Sequence, residues 1–180
     1  VPRGERDGLS RRAAPRRPRE TFRYAMGKDL QAAILGLGSY APEKRLTNHD
    51  FAKALDTSDE WITTRTGIRH RHIAAPHQST SELAFMASKA ALADAKLKPE
   101  VLDLILLATF SPDHITPATA CLLQEKLGLG PRGTPACDID AACSGFLYTL
   151  AVAKAFLECG QATTVLTVGA ETISRFTDYK

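Results

Sequence analysis

Residues 135–160 read PACDIDAACSGFLYTLAVAKAFLECG, and the order of textures in that stretch decides the fold. Pro135 to Ala141 reads as a strand that feeds directly into a helix expected from Cys143 to Glu158, with Gly160 as its stop. The helix is apolar on nearly every side (Phe146, Leu147, Leu150, Ala151, Val152, Ala155, Phe156), the pattern of a helix buried between two layers.

The flanks repeat the alternation. Gln31 to Gly38 (QAAILGLG), Leu102 to Thr109 (LDLILLAT) and Ala162 to Ala170 (ATTVLTVGA) are short apolar runs suited to strands covered on both faces. Between them, Ser79 and Glu82 form an expected capping box, followed by Leu83, Met86, Ala87, Ala90, Ala91 and Ala95 at helical spacing. Asn48 or Asp50 is expected to cap a short helix through Leu55, and Ser58 another through Arg65. Thr119 to Leu127 completes the helices, closed by Gly128. Alternating strands and helices imply an α/β fold, with a parallel or mixed sheet covered on its faces.

Composition narrows the function classes. The 180 residues are 44% hydrophobic and 24% charged, which is globular, and no uncharged run exceeds 13 residues, short of the ~20 a membrane helix needs. The net charge of +3 is carried by residues 1–25, where eight Arg against Glu5, Asp7 and Glu20 give +5 and leave −2 for the remainder. The body thus has no electrostatic footprint for nucleic acid. Residues 1–25 have too little apolar surface to offset the entropy of ordering and are expected to be a disordered extension foreign to the fold, with the globular unit spanning 26–180. The four cysteines (121, 137, 143, 159) contain no C-x-x-C pair, so neither a zinc nor a redox motif is expected and a reducing cytoplasm fits best.

Two stretches could carry chemistry. Cys143 sits at a strand-to-helix junction, the positive end of a helix dipole, among free N–H groups that favour thiolate and could hold an oxyanion. From position alone, a cysteine among Ala, Phe and Leu is more often an inert core residue. In DTSDEWITTRTGI, residues 56–68, Trp61 and Arg65 lie four apart and could sandwich a flat ring such as adenine, although a half-exposed Trp under a solvated Arg gives the same pattern. Arg69-His70-Arg71-His72 reads as solvated surface, its two histidines expected on opposite sides of a strand and unable to share an ion. Gly36-Leu37-Gly38 has no third glycine opening a helix and reads as strand termination rather than a dinucleotide fingerprint.

The runs 56–68 and 138–148 (DIDAACSGFLY), with Arg71-His72-Ile73-Ala74, Ile34 to Pro42 and Val168-Gly169-Ala170-Glu171, resemble β-ketoacyl-acyl carrier protein synthase III, the condensing-enzyme family that initiates bacterial fatty-acid synthesis. The resemblance covers essentially all of 26–180. It implies a thiolase-like fold of two similar halves, of which this chain supplies the first, with a five-stranded mixed sheet and a buried central helix. It maps the nucleophile to Cys143, coenzyme A contacts to Thr57, Trp61 and Arg65, and an acyl-pocket residue to Thr116, whose small side chain suits longer or branched primers. Acyl-coenzyme A and malonyl-acyl carrier protein are the implied partners, within a homodimer when full length, and no metal or redox cofactor is implied.

Two family motifs are missing from this sequence, a Pro-His-Gln-Ala-Asn segment and a Gly-Asn-Thr-Ser-like segment that carry the family's catalytic His and Asn. Pro76-His77-Gln78 imitates the first but precedes the nucleophile and reads as a decoy. The chain alone is therefore expected to be inactive in condensation. A condensing enzyme of polyketide or hydroxymethylglutaryl-coenzyme A type, and a non-catalytic half-protein, are the alternative expectations.

Overall fold

A computed structural model describes residues 31–177. The expected extension at 1–25 lies outside the described residues.

Three parallel strands form the central sheet in the order β4-β3-β5: β3 (Leu104–Ala108), β4 (Ala136–Ile139) and β5 (Val165–Gly169). All five residues of β3 are buried, and alternation splits them between two cores. Ile105 and Leu107 face Ala84 and Leu92 of α3 (Thr80–Ala95) and Ala120 and Leu123 of α4 (Thr119–Lys126). Leu104 and Leu106 face Ala153, with Val152 and Phe156, of α5 (Gly145–Glu158). Each fully buried Leu or Ile contributes ~1.5–3 kcal/mol relative to exposure, so β3 is the main apolar anchor of a helix-sheet-helix sandwich. Ahead of it lies a small lobe of β1 (Arg45–Thr47), α1 (Asn48–Ala52), α2 (Asp59–Thr66) and β2 (His70–His72), with β1 and β2 antiparallel.

The α/β layering matches the sequence reading, and several details differ. Among the described residues the main sheet is three-stranded and wholly parallel rather than five-stranded and mixed. The run 31–38 forms no ladder: Ile34, Leu35 and Leu37 are 72, 63 and 73% exposed. It lies against α3 instead, where a Cβ on Gly36 would stand 2.6 Å from the Ala95 nitrogen, and the Leu37 N–H donates to the Asp94 carboxylate at 2.9 Å. Two cavities of about 220 and 450 Å³ lie between this run and β5, so an apolar segment suited to a sheet finds a helix on one side and no strand at its edge.

Helix α5 is not buried all round. Gly145, Thr149 and Ala153 are covered, whereas Phe146, Leu147 and Tyr148 are 43, 67 and 55% exposed, because the sheet covers one side only. Its first residue is Gly145 rather than Cys143, since a 3₁₀ turn at Ala142–Ser144 precedes it. The cap of α1 is Thr47, which accepts from the Asp50 N–H while the Asp50 carboxylate accepts from the Thr47 N–H. Ser58 and Ser79 cap α2 and α3 as expected, but the Glu82 carboxylate turns to Lys126 at 2.8 Å instead of closing a capping box.

Candidate active site

Cys143 is exposed at the carboxyl end of the parallel sheet, four residues beyond β4 and two before α5. The chain turns there through Ala142, a non-glycine residue at φ 44°, a conformation that costs an L-residue ~1–2 kcal/mol and persists only where its surroundings impose it. The Ser144 N–H and hydroxyl both donate to the Ala141 carbonyl, at 3.1 and 2.9 Å, and close the turn. Gly145 lets the helix start against β3, since a Cβ there would lie 3.1 Å from the Ala108 Cβ.

The cysteines supply an internal comparison. Cys143 and Cys159 are both exposed, at the positive and negative ends of the same helix, and the Cys159 thiol lies 3.5 Å from the Phe156 carbonyl. Burial, with Asp138 and Cys121 nearby, pushes the Cys137 thiol up. Cys121 is partly buried, 3.8 Å from the Ala136 carbonyl. Standing at opposite ends of one helix, the two exposed thiols differ in their surroundings, and Cys143 is expected to be alkylated ahead of Cys159. Iodoacetamide labelling near neutral pH, mapped by mass spectrometry, checks this; faster labelling of Cys159, Cys137 or Cys121 contradicts it.

The second expected site lies in the small lobe. Trp61 is 53% exposed, and the Arg65 guanidinium stacks on its ring at 4.8 Å. The two already touch, so a planar ligand cannot slide between them unless Arg65 swings out; the sandwich read from their spacing is closed in this state. One turn upstream, the buried Thr57 hydroxyl has no partner among the described residues, a deficit worth ~1–3 kcal/mol that a bound group could relieve. Thr116 is exposed in the loop between β3 and α4, next to the fully exposed Ile115. That loop is tied down by Asp113, whose carboxylate accepts from the Ser81 N–H and whose own N–H donates to the Thr119 hydroxyl at 3.2 Å. No hydrogen bond or ring contact joins Cys143 to Thr57, Trp61, Arg65 or Thr116 among the described residues.

His77 is exposed, and its neighbours are occupied structurally: Arg175 donates to the carbonyls of Pro76 and Gln78, and the Gln78 side chain bonds Tyr40 at 3.0 Å. His70 and His72 do not point apart. Alternate residues of a strand share one face, and their rings meet edge to face at 5.3 Å. Among the described residues no group of three or more His, Cys, Asp or Glu side chains is placed to hold a metal.

Sequence reasoning missed Asp138 and took Asn48 for a helix cap, two polar side chains that organise these loops. Asp138 of β4 accepts the Thr119 and Ala120 N–H groups, both at 2.7 Å, and so caps α4, whose own cap position, Ala118, offers no side-chain acceptor. Asn48 is wholly buried beneath α2. A signal for Asp138 existed, since a helix opening on Ala needs an acceptor from elsewhere.

Four carboxylates are held below their ordinary range, Asp50 chiefly by the Thr47 side chain. For Asp59 the chief cause is the Asn48 amide, and for Asp103 it is the Thr163 side chain. For Asp113 burial is the largest influence and pushes upward, but hydrogen bonds from Ser81, Ser79 and the Thr80 backbone outweigh it. Groups depressed in the folded state contribute stability above the unfolded Asp value of ~3.9 and lose it as pH falls toward the folded values. The unfolding temperature should therefore drop on acidification below about pH 4. A thermal unfolding series from neutral pH into that range tests this, and an unchanged midpoint would count against it.

The family model for 3-Oxoacyl-[acyl-carrier-protein (ACP)] synthase III matches residues 137–180, which contain Cys143. The β-ketoacyl-[acyl-carrier-protein] synthase III of Caldanaerobacter subterraneus subsp. tengcongensis is 55% identical over 155 residues, covering 86% of this chain and 46% of the relative. The crystal structure of 3-oxoacyl-[acyl-carrier-protein] synthase III from Aquifex aeolicus VF5 superposes with a TM-score of 0.77 at 50% identity, over 82% of this chain and 47% of that one. The corresponding structure from Thermus thermophilus gives 0.77 at 46% identity, over 83% and 46%. The chain spans about half the length of these relatives. With the thiolase-like layering, the strand-to-helix turn at Cys143 and these similarities together, the chain belongs to the β-ketoacyl-acyl carrier protein synthase III family.

Proposed function

We propose that this chain is the nucleophile-bearing first half, residues 26–180, of an acyltransferase that condenses acyl-coenzyme A with malonyl-acyl carrier protein. The products are 3-ketoacyl-acyl carrier protein, carbon dioxide and coenzyme A. The observation that carries the reading is Cys143, an exposed thiol at a helix N-terminus on a strained turn. Its thiolate attacks the acyl thioester carbonyl, the Cys143 N–H donates to the tetrahedral oxyanion, and coenzyme A leaves as thiolate and takes up the proton that the Cys143 thiol released. The malonyl carrier then binds, decarboxylates to an enolate and attacks the acyl group, regenerating the free thiol.

Thr57, Trp61 and Arg65 form the coenzyme A face, supported by the orphan Thr57 hydroxyl and the exposed indole. Thr116 borders the acyl pocket. We further assign the full-length protein to the cytoplasm, in keeping with the free cysteines, and to a homodimer; among the described residues no helix is long and apolar enough to cross a membrane.

The test is acylation. Incubating the chain with acetyl-coenzyme A and reading the intact mass should show one acyl group per chain, mapped to Cys143, with coenzyme A released and both signals lost in Cys143→Ala. An adduct on another cysteine, or none, sinks the proposal.

A further inference from the structure

We propose that Asn48 is a positioning residue for coenzyme A binding: its buried amide grips the back of α2 and thereby fixes the outward face that carries Trp61 and Arg65. The inference rests on the reading of that face as a coenzyme A contact.

Asn48 is 0% exposed. Its Nδ2 donates to the Asp59 carboxylate at 2.8 Å, to the Ile68 carbonyl at 2.8 Å and to the Thr63 hydroxyl at 3.3 Å. One amide therefore holds the first turn of α2, its second turn and the chain just past its end. The Oδ1 accepts from the Arg71 guanidinium, which also stacks on Phe51 at 4.6 Å, and the Asn48 N–H donates to the Arg69 carbonyl at 3.3 Å. The hub thus also joins α1 and β2 to α2.

Helical geometry sets what the hub presents. Asp59 and Thr63 are four apart and share a face; Trp61 and Arg65 are each two residues further on, a rotation of about 200°, and so occupy the opposite face. Apolar packing cannot do the same job, because Ile62 is the one buried residue of the helix. The polar grip must set its orientation; its bond to the Asp59 carboxylate and the Arg71 bond that ties Asn48 to β2 both involve charged partners, which hold geometry more strongly than neutral ones.

Trp61 is the protein's sole tryptophan, so its fluorescence reports on this face alone. Coenzyme A should quench the emission of the 180-residue chain saturably. Asn48→Ala should weaken the apparent affinity roughly tenfold or more. Asp59→Ala, which removes one link of the hub and leaves the buried amide in place, should weaken it in the same direction and serves where Asn48→Ala fails to fold. Ser79→Ala, which removes the cap of α3 and touches neither α1 nor α2, should bind like the unmodified chain. Far-UV circular dichroism establishes that each variant is folded. Unchanged affinity in folded Asn48→Ala and Asp59→Ala, or equal weakening in Ser79→Ala, overturns the positioning role. An unmodified chain without saturable quenching overturns the coenzyme A reading itself.

Discussion

Mixed with acyl-coenzyme A and malonyl-loaded carrier protein, the purified 180-residue chain is expected to form 3-ketoacyl product at a rate at least ~10²–10³ below that of a full-length relative assayed beside it. Decarboxylation creates an enolate that needs donors aimed at its oxygen, and loss of a single such donor typically costs that factor. The two motifs that supply them in the family are not in this sequence. Helix α5 points the same way: with Phe146, Leu147 and Tyr148 exposed, the chain offers an apolar surface that favours association over a closed pocket. Product formed within about tenfold of the relative's rate would refute both the reading of the missing residues and the half-fold.

Asp138→Ala is expected to be the most damaging single substitution for stability near the site. The Thr119 and Ala120 N–H groups belong to fully buried residues, and both would lose a charged acceptor. At ~1.5–3 kcal/mol for each hydrogen bond to a charged group, the loss is about 3 kcal/mol or more, a fall of roughly 6–12 °C in a domain of this size. Asp138→Asn, which keeps one acceptor oxygen, should show about half the fall. The substitution also severs α4 from the strand that delivers Cys143, so the loop at Thr116 should loosen. Thermal unfolding of both variants is the measurement, and a change within 1 °C for Asp138→Ala, roughly the resolution of the method, would contradict the capping role.

How much of this was legible beforehand follows from the range of the interactions involved. The strand-to-helix turn at Cys143, the serine caps of α2 and α3, and the central strand at 104–108 are local patterns, and the structure repeats them within one or two residues. The run at 31–38 has the composition of a strand, but pairing depends on a neighbour that its composition does not contain. Asn48 looked like a helix cap because Asn, Asp and Thr compete for that position within LTNHD; Thr47 took it, which left the Asn48 amide free to bond Ile68, twenty residues away. Asp138 serves a helix nineteen residues earlier in the chain, a distance at which spacing rules say nothing. The Trp61–Arg65 proximity was readable from four-residue spacing, but the direct stacking of the two was not.

The seating of residues 31–38 on α3 bears on how the chain emerges from the ribosome. Ile34, Leu35 and Leu37 are made first, their seat at Ala91 and Ala95 follows some sixty residues later, and β5, on the far side of the two cavities, is complete only at Gly169. At ~5–20 residues per second, the segment waits roughly 3–12 s for the helix. Until the helix is made the apolar run has nothing to pack against, and Ile34, Leu35 and Leu37 stay largely exposed even afterwards, so this is a part of the nascent chain that calls for a chaperone's protection.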